Sequence, residues 1–423
     1  MSSDLMYIDL FFLITSSIML FIGVLYLFGY FARVKTDPKP KKFYRVSILI
    51  PMWNEEKTII NTLDALKKVK NTYKGNLEVI VIDNKSKDSS YDIVNAYSKK
   101  NKFVRLIKEL KGQGKSYAFN TGIKHANYEL IACVDADSYP REDCLDYIVG
   151  YFDDKTIGAV TTKMVVRNPK KIVEHFQDLE YIYSNFLLTA YDTLDSIYVT
   201  KGPLSVYRAK VLRKIKGFQH PNVTPTEDME ITFRIRKEGY IIKSSKGAKV
   251  YTSVMHSWKK LFWQRIRWNR GSMINFALHR DMIINPKYGF FGTVIMPLVT
   301  LTMIMIAALI YYVVTRFYNS VYLVLQKFFF YIYYGQFPSI TNYFADFGKN
   351  SFFVLPGLIA LIVVIFIVWF VLNYMGFRES KEKFSVKRII LLFLSPIIYL
   401  PCQVFFWVCA LIIQLTKGSS RWR

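Results

Sequence analysis

Hydrophobic positions fall into three regimes along this chain. Residues 8–32 form a nearly uncharged apolar run of about the length a helix needs to cross a bilayer. From residue 44 to 251 the pattern changes to short apolar runs separated by mixed polar segments. Residues 46–50, 77–82, 104–107 and 130–134 read as strands, and 55–69, 89–100 and 116–125 as helices. Such alternation predicts an α/β domain, a parallel sheet covered by helices on both faces. Apolar spans then return over 290–314, 353–374 and 389–415, with a shorter aromatic run over 321–334 that reads as interfacial or re-entrant. The chain therefore divides into an N-terminal span (1–33), the α/β domain (34–255), an amphipathic region (256–288) and a C-terminal membrane region (289–423) of about three spans.

The flanks of these runs set an expected orientation. A cleaved signal peptide is a poor fit to 8–32, because the stretch is too long, no positive residues precede it and no small-residue cleavage site closes it. Arg33, Lys35, Lys39, Lys41, Lys42 and Arg45 follow at once, so the α/β domain is expected in the cytoplasm of a multi-pass cell-membrane protein, with Pro38 and Pro40 marking a linker. A second basic loop, 378–383 with Lys387 and Arg388, agrees. Lys417, Arg421 and Arg423 would fall outside, which leaves the number of spans open. The net charge of +25 beside apolar spans suggests anionic lipid head groups or an anionic substrate, and no nucleic-acid motif is present. Cys133, Cys144, Cys402 and Cys409 show neither metal-ligand spacing nor a disulfide framework.

The densest chemistry lies at 129–140, where an apolar run ends in Asp135 and Asp137. Alternate side chains of an extended segment point the same way, so both carboxylates can face one divalent cation; alone, the pair reads sooner as a polar turn closing a strand. The ends of the preceding strands also carry carboxylates, at 51–56 and 83–88. Strand C-terminal ends are where open α/β sheets bind ligands. Gly112-Gln113-Gly114-Lys115-Ser116 lacks the first glycine of a P-loop. Lys115 at a glycine-opened helix start suits an anionic diphosphate, or is simply solvated. Thr224, Pro225 and Glu227 form a helix-start signal that puts Thr224 at the cap and Asp228 in a rigid first turn. In 256–280, Gln264, Arg267 and Trp268 share one helix face, whereas Arg265 and Arg270 point elsewhere; the aromatic and basic mixture also describes a helix in the membrane interface.

In order, Pro51-Met52-Trp53-Asn54-Glu55-Glu56, Val81-Ile82-Asp83, Val134-Asp135-Ala136-Asp137, Thr226-Glu227-Asp228 and Gln264-Arg265-Ile266-Arg267-Trp268 resemble the motifs of membrane-bound family 2 inverting glycosyltransferases. The resemblance implies a Rossmann-like GT-A domain inserted between transmembrane helices. It implies that Pro51, Glu55 and Asp83 hold uridine and that Asp135 and Asp137 bind donor diphosphate and a metal, Mg2+ or Mn2+. The Gly112–Ser116 segment, continuing to Ala118, Asn120 and Gly122, resembles the same family's Gly-Lys segment and assigns Lys115 to the donor. Gln264, Arg267 and Trp268 would flank the diphosphate, with Trp268 also reaching the acceptor. Lys201-Gly202-Pro203 resembles the segment lining the acceptor's terminal sugar, which makes Gly202 and Pro203 acceptor residues; as plain sequence it is a turn before a strand. Asp228 matches the family's catalytic base, with Glu227 beside it. One departure is Asn84-Lys85, where the family often has Asp-Gly.

What this implies is a single in-line displacement. A carboxylate takes the proton of an acceptor hydroxyl as it attacks the anomeric carbon, and the nucleoside diphosphate leaves from the opposite face. The expected partners are a nucleotide-sugar donor, UDP-N-acetylglucosamine by general resemblance, membrane lipids, and a growing polysaccharide exported through the spans. The alternative is a single transfer to a lipid or lipid-linked acceptor. A non-catalytic scaffold would be expected to lack Asp137, Asp228 or Arg267, and all three stand.

Overall fold

The structure is a computed structural model and describes residues 3–112, 114–335 and 356–417. It separates into two compact units, Met1–Leu25 with Leu298–Leu372, and Tyr26–Pro297 with Asn373–Arg423. The second unit contains one eight-stranded sheet, ordered β3-β2-β1-β4-β7-β6-β8-β5. Its strands are β1 (Val46–Met52), β2 (Leu77–Asp83), β3 (Val104–Lys108), β4 (Leu130–Val134), β5 (Ser138–Pro140), β6 (Ile157–Val166), β7 (Leu204–Arg208) and β8 (Ile241–Thr252). The helices, with α1 (Ser3–Phe31) ahead of the sheet, continue as α2 (Ile59–Thr72), α3 (Ser90–Lys100), α4 (Lys115–His125), α5 (Cys144–Ile148), α6 (Ile172–Thr193), α7 (Ala209–Lys214), α8 (Glu227–Lys237) and α9 (Trp258–Leu278). Beyond them lie α10 (Met296–Tyr334), α11 (Pro356–Ser380), α12 (Val386–Leu394) and α13 (Tyr399–Lys417).

β1 to β4 are parallel neighbours, as the alternation predicts, and β2 and β4 are buried along their whole length. Beyond β4 the sheet becomes mixed. β7 pairs antiparallel with both β4 and β6, because the chain reaches β7 through β5, β6 and α6 and enters the sheet from its opposite end. A predicted helix start also moves. α2 begins at Ile59, leaving Glu55 and Glu56 in the loop, where their amides donate to Ser90 Oγ (2.7 Å) and Asp88 Oδ2 (3.2 Å). Asn54 precedes them at φ 56°, a conformation outside the helical region.

Among the described residues, four helices are long and apolar enough to cross a membrane, with windows at Leu13–Phe31, Phe291–Ala308, Val363–Ser380 and Tyr399–Thr416. Two expectations change here. The aromatic run 321–334 is no separate segment but the continuation of α10, a 39-residue helix without an internal breaker that stops at Gly335, φ 67°. At about 1.5 Å per residue it exceeds the thickness of a bilayer core. The predicted span 389–415 is two helices, α12 and α13, parted around Ser395-Pro396, where proline removes a backbone donor. Residues 353–355 of another span, Gln113, Arg421 and Arg423 lie outside the described residues.

The linker after α1 is fixed to the α/β domain. The Asp37 carboxylate accepts from the amides of Lys246 and Gly247, both at 2.7 Å, and from the Tyr151 hydroxyl at 2.9 Å. Just before it, Arg33 Nε lies 3.3 Å from Glu379 Oε2, whose other oxygen takes Lys163 Nζ at 2.5 Å and the Thr189 hydroxyl at 3.0 Å. One buried carboxylate thus joins the end of α1, strand β6, helix α6 and the end of α11. Asp37→Ala strands two amides and a hydroxyl, and is expected to cost about 2 kcal/mol of stability, read as a lowered unfolding midpoint in detergent.

Candidate active site

The loops at the C-terminal ends of β1, β2 and β4 come together as the sequence predicts. In the β1–β2 register Pro51 lies opposite Ile82 and Met52 opposite Asp83. The two loops are then laced by hydrogen bonds from Asn54 N to Ser86 Oγ (3.1 Å) and from Lys87 N to Asn54 Oδ1 (2.8 Å). Asp83 accepts from Ser86 N at 3.3 Å, while Asn84, buried, leaves Oδ1 without a partner among the described residues. The departure at Asn84-Lys85 bends the loop at Lys85, φ 64°. Glu55 accepts from the Thr58 hydroxyl at 2.5 Å, and burial raises its carboxyl above the ordinary range, with Asp135 adding to the effect.

The β4 end supplies the other acidic groups. Asp137 is mostly buried and is pushed up to about 6 by burial, then by the charges of Asp135 and Glu55. Asp135 is held instead by Lys115, whose ammonium lies 2.6 Å from Asp135 Oδ1 and 3.4 Å from Glu227 Oε1. Lys115 opens α4 after Gly114, which has φ 128° and no room for a Cβ beside Pro221. The rest of the Gly-Lys segment is structural. Asn120 brackets Phe218, donating to its carbonyl (2.8 Å) and accepting from its amide (2.7 Å), and a Cβ on Gly122 would stand 3.0 Å from Leu49 and Ile82.

Helix α8 begins two residues later than its sequence signal. Thr226, not Thr224, is the cap, and Glu227 and Asp228 are the first two helical residues. The expected capping box is absent because Thr224 Oγ1 accepts from Thr226 N (3.3 Å) and Asp228 Oδ1 from Met229 N (2.8 Å). The two carboxylates are pulled apart electrostatically. Burial raises both, but Lys115 and Arg267 outweigh it at Glu227, which is held below the usual range. Burial and the Glu227 charge push Asp228 up to about 6.

The remaining predicted residues arrive on α9 and before β7. Arg267 donates through Nη1 to Pro225 O at 3.1 Å, next to the Glu227–Asp228 helix start. Gln264 has a buried Oε1 with no partner among the described residues. Trp268 is covered by the Arg265 guanidinium, 4.1 Å from its ring, and Arg265 pairs with Glu180 at 2.7 Å. Arg270 points elsewhere as expected, towards Gln414 at 2.9 Å, but Arg265 does not, because it stacks on Trp268. Gly202 closes the cleft: a Cβ there would stand 3.1 Å from Lys115 Nζ and 3.3 Å from Asp135 Oδ2. Pro203 follows it into β7. Sequence reading missed its neighbour Lys201, buried, donating to Asn185 Oδ1 at 3.2 Å and pushed down to about 7 by burial and the Lys163 charge.

An α/β sheet whose acidic strand-end loops meet an acidic helix start across one lysine has the GT-A-like fold. Residues 47–216 match the family model "Glycosyl transferase family 2", so the chain carries a family 2 glycosyltransferase domain. A probable glycosyltransferase, YdaM, of Bacillus subtilis is 32% identical over 269 residues, 60% of this chain and 63% of that protein. The poly-beta-1,6-N-acetyl-D-glucosamine synthase of Staphylococcus aureus is 26% identical over 285 residues, 66% of this chain and 67% of that protein. The chain thus spans about two thirds of the length of these relatives. A mannosyltransferase from Pyrobaculum calidifontis, solved with GDP-Man and Mn2+, superposes with a TM-score of 0.56 at 18% identity, covering 95% of this chain and 99% of that one. It is similar in fold.

The raised carboxyls fix a pH dependence. Asp228 and Asp137 ordinarily titrate near 3.8 and here near 6, so their charged forms are lost as pH falls through about 6. A reaction needing either carboxylate is expected to lose kcat/KM up to about tenfold per unit below that point, measured as the acid limb of the pH profile.

Proposed function

We propose that the protein is a membrane-embedded inverting glycosyltransferase that moves N-acetylglucosamine from its uridine diphosphate donor to a growing β-linked polysaccharide, coupled to export. The carrying observation is the Glu227–Asp228 helix start held beside Lys115 and Arg267, across from Asp135 and Asp137, on a family 2 glycosyltransferase domain. The likeness to a poly-beta-1,6-N-acetyl-D-glucosamine synthase supports the choice of sugar and of polymer. The basic segment after α1 supports a cytoplasmic donor site.

Each residue then has a task. Pro51, Glu55 and Asp83 line the nucleoside end of the cleft. Lys115 and Arg267 are the fixed cations for the diphosphate, and Gln264 and Trp268 lie along its path on α9. Gly202 and Pro203 leave space for the acceptor sugar beside Lys115. Asp228 accepts the proton of the attacking hydroxyl; a carboxyl near 6 is a stronger base than an ordinary one and is still ionised at neutral pH. Glu227 stays charged and keeps that value raised. Departure of the nucleoside diphosphate builds negative charge, which Lys115 and Arg267 stabilise without rearranging.

Among the described residues no three His, Cys, Asp or Glu side chains form a ready-made metal cage. The donor set nevertheless fits Mg2+ or Mn2+, which take one or two carboxylates plus substrate phosphates. Asp137, its carboxyl raised by burial and then by the Asp135 and Glu55 charges, and Asp135 would hold it. When bound, it supplies charge neutralisation at the donor diphosphate.

Asp228→Asn is expected to leave uridine diphosphate binding within about threefold while lowering transfer by a hundredfold or more, measured by titration and by release of uridine diphosphate. Equal release by mutant and wild type would remove Asp228 as the base. Membranes given labelled UDP-N-acetylglucosamine should make a ladder or long polymer on sizing gels. One lipid-soluble product would instead establish single transfer to a lipid acceptor.

A further inference from the structure

Helix α9 meets the start of α8 along a stripe of residues four apart. Arg267 donates to Pro225 O at 3.1 Å. One turn on, Gly271 lies so close to Thr226 that an added Cβ would stand 2.9 Å from Thr226 Cβ and nearer still to its Oγ1 and Cγ2. Another turn on, Asn275 Nδ2 donates to Thr226 Oγ1 at 2.9 Å and to Thr226 O at 3.2 Å. Positions i, i+4 and i+8 form one ridge of a helix, so the three contacts are a single packing seam.

The seam takes over the chemistry of the cap. Thr226 is the N-cap of α8, yet its hydroxyl makes no capping bond to the helix, although an N-cap threonine ordinarily satisfies one of the first amides. Its hydroxyl is turned to Asn275. Asn275 is fully buried and its Oδ1 has no partner among the described residues, a half-satisfied amide whose burial costs free energy. A helix contact made only for packing would be served as well by an apolar residue. What the amide adds is direction: it holds Thr226 from two atoms at once, and the next two residues are Glu227 and Asp228.

We propose that Gly271 and Asn275 are positioning residues that hold Arg267 and the Glu227–Asp228 pair at a fixed separation during transfer. The inference rests on the transferase reading above. Gly271 sets how closely the helices approach, and Asn275 sets the orientation of the cap. Together they place a guanidinium and a general base, borne by two different helices, around one reacting centre.

The test uses the full chain in detergent with Mn2+ and UDP-N-acetylglucosamine. Gly271→Ala and Asn275→Ala should lower kcat by about 10- to 100-fold, the range expected when a reacting group is misplaced by about 1 Å. Donor KM and uridine diphosphate affinity should stay within about threefold of wild type. A Gly271→Ala side chain meets both the hydroxyl and the methyl of Thr226; Thr226→Ser removes the methyl and frees the hydroxyl to turn, so the double variant should regain part of the lost kcat. Wild-type kcat in both single variants, or a fall in kcat matched by lost folded protein or lost donor affinity, would overturn the proposal. Asp228→Asn run beside them separates the two readings: if it transfers at the wild-type rate, the base assignment and this inference fail together. If only it is inactive, this inference alone fails.

Discussion

The Lys115 ammonium, 2.6 Å from Asp135 and 3.4 Å from Glu227, is the contact on which the geometry of the site depends. It joins the parallel half of the sheet, which ends in Asp135, to the helix that begins with Glu227. Neither carboxylate would be tolerated so near the other without it, since like charges in a partly buried cleft repel strongly. The position of Lys115 is in turn set by backbone: Gly114 adopts a conformation that L side chains rarely reach, packed against Pro221.

Much of the donor half was legible because its signals are local. β4 begins and ends as the apolar run predicts, and the loops bearing Glu55, Asp83 and Asp135 meet because parallel strands place their C-terminal ends together. What failed depended on tertiary contacts. Thr224, Pro225 and Glu227 satisfy the pattern of a capped helix, yet the cap moves to Thr226 because α9 supplies that threonine with outside partners. The antiparallel entry of β7 likewise leaves no mark in its five residues, since a strand buried at all but its last residue reads the same in either direction. Lys201 was passed over because a lysine beside Gly-Pro looks like a solvated turn, and only the packing of β6, α6 and the end of α11 buries it.

The helix-end contacts of the second unit follow a similar rule. Glu379, at the end of an apolar helix, is a costly group to bury alone, and three donors from separate elements converge on it. Hydrophobic length identifies the spans, but does not say where they stop or what they grip. The long α10 shows the first point, because aromatic residues between two apolar stretches continue a helix when no glycine or proline interrupts it. The Glu379 cluster shows the second.

Charge balance across the cleft links these observations to the chemistry. Five carboxylates, Glu55, Asp135, Asp137, Glu227 and Asp228, are coupled to one another through space, and the cations among them are Lys115 and Arg267. Burial raises the carboxyls of Glu55, Asp137 and Asp228, the three not directly paired with a cation, and neighbouring negative charge raises them further. A nucleotide diphosphate would add further negative charge to this cleft. A divalent cation arriving with such a donor would lower the field at Asp137, while burial and the Glu227 charge keep the Asp228 carboxyl raised. On the proposed reading, the same imbalance would separate a metal-binding carboxylate from a proton-accepting one.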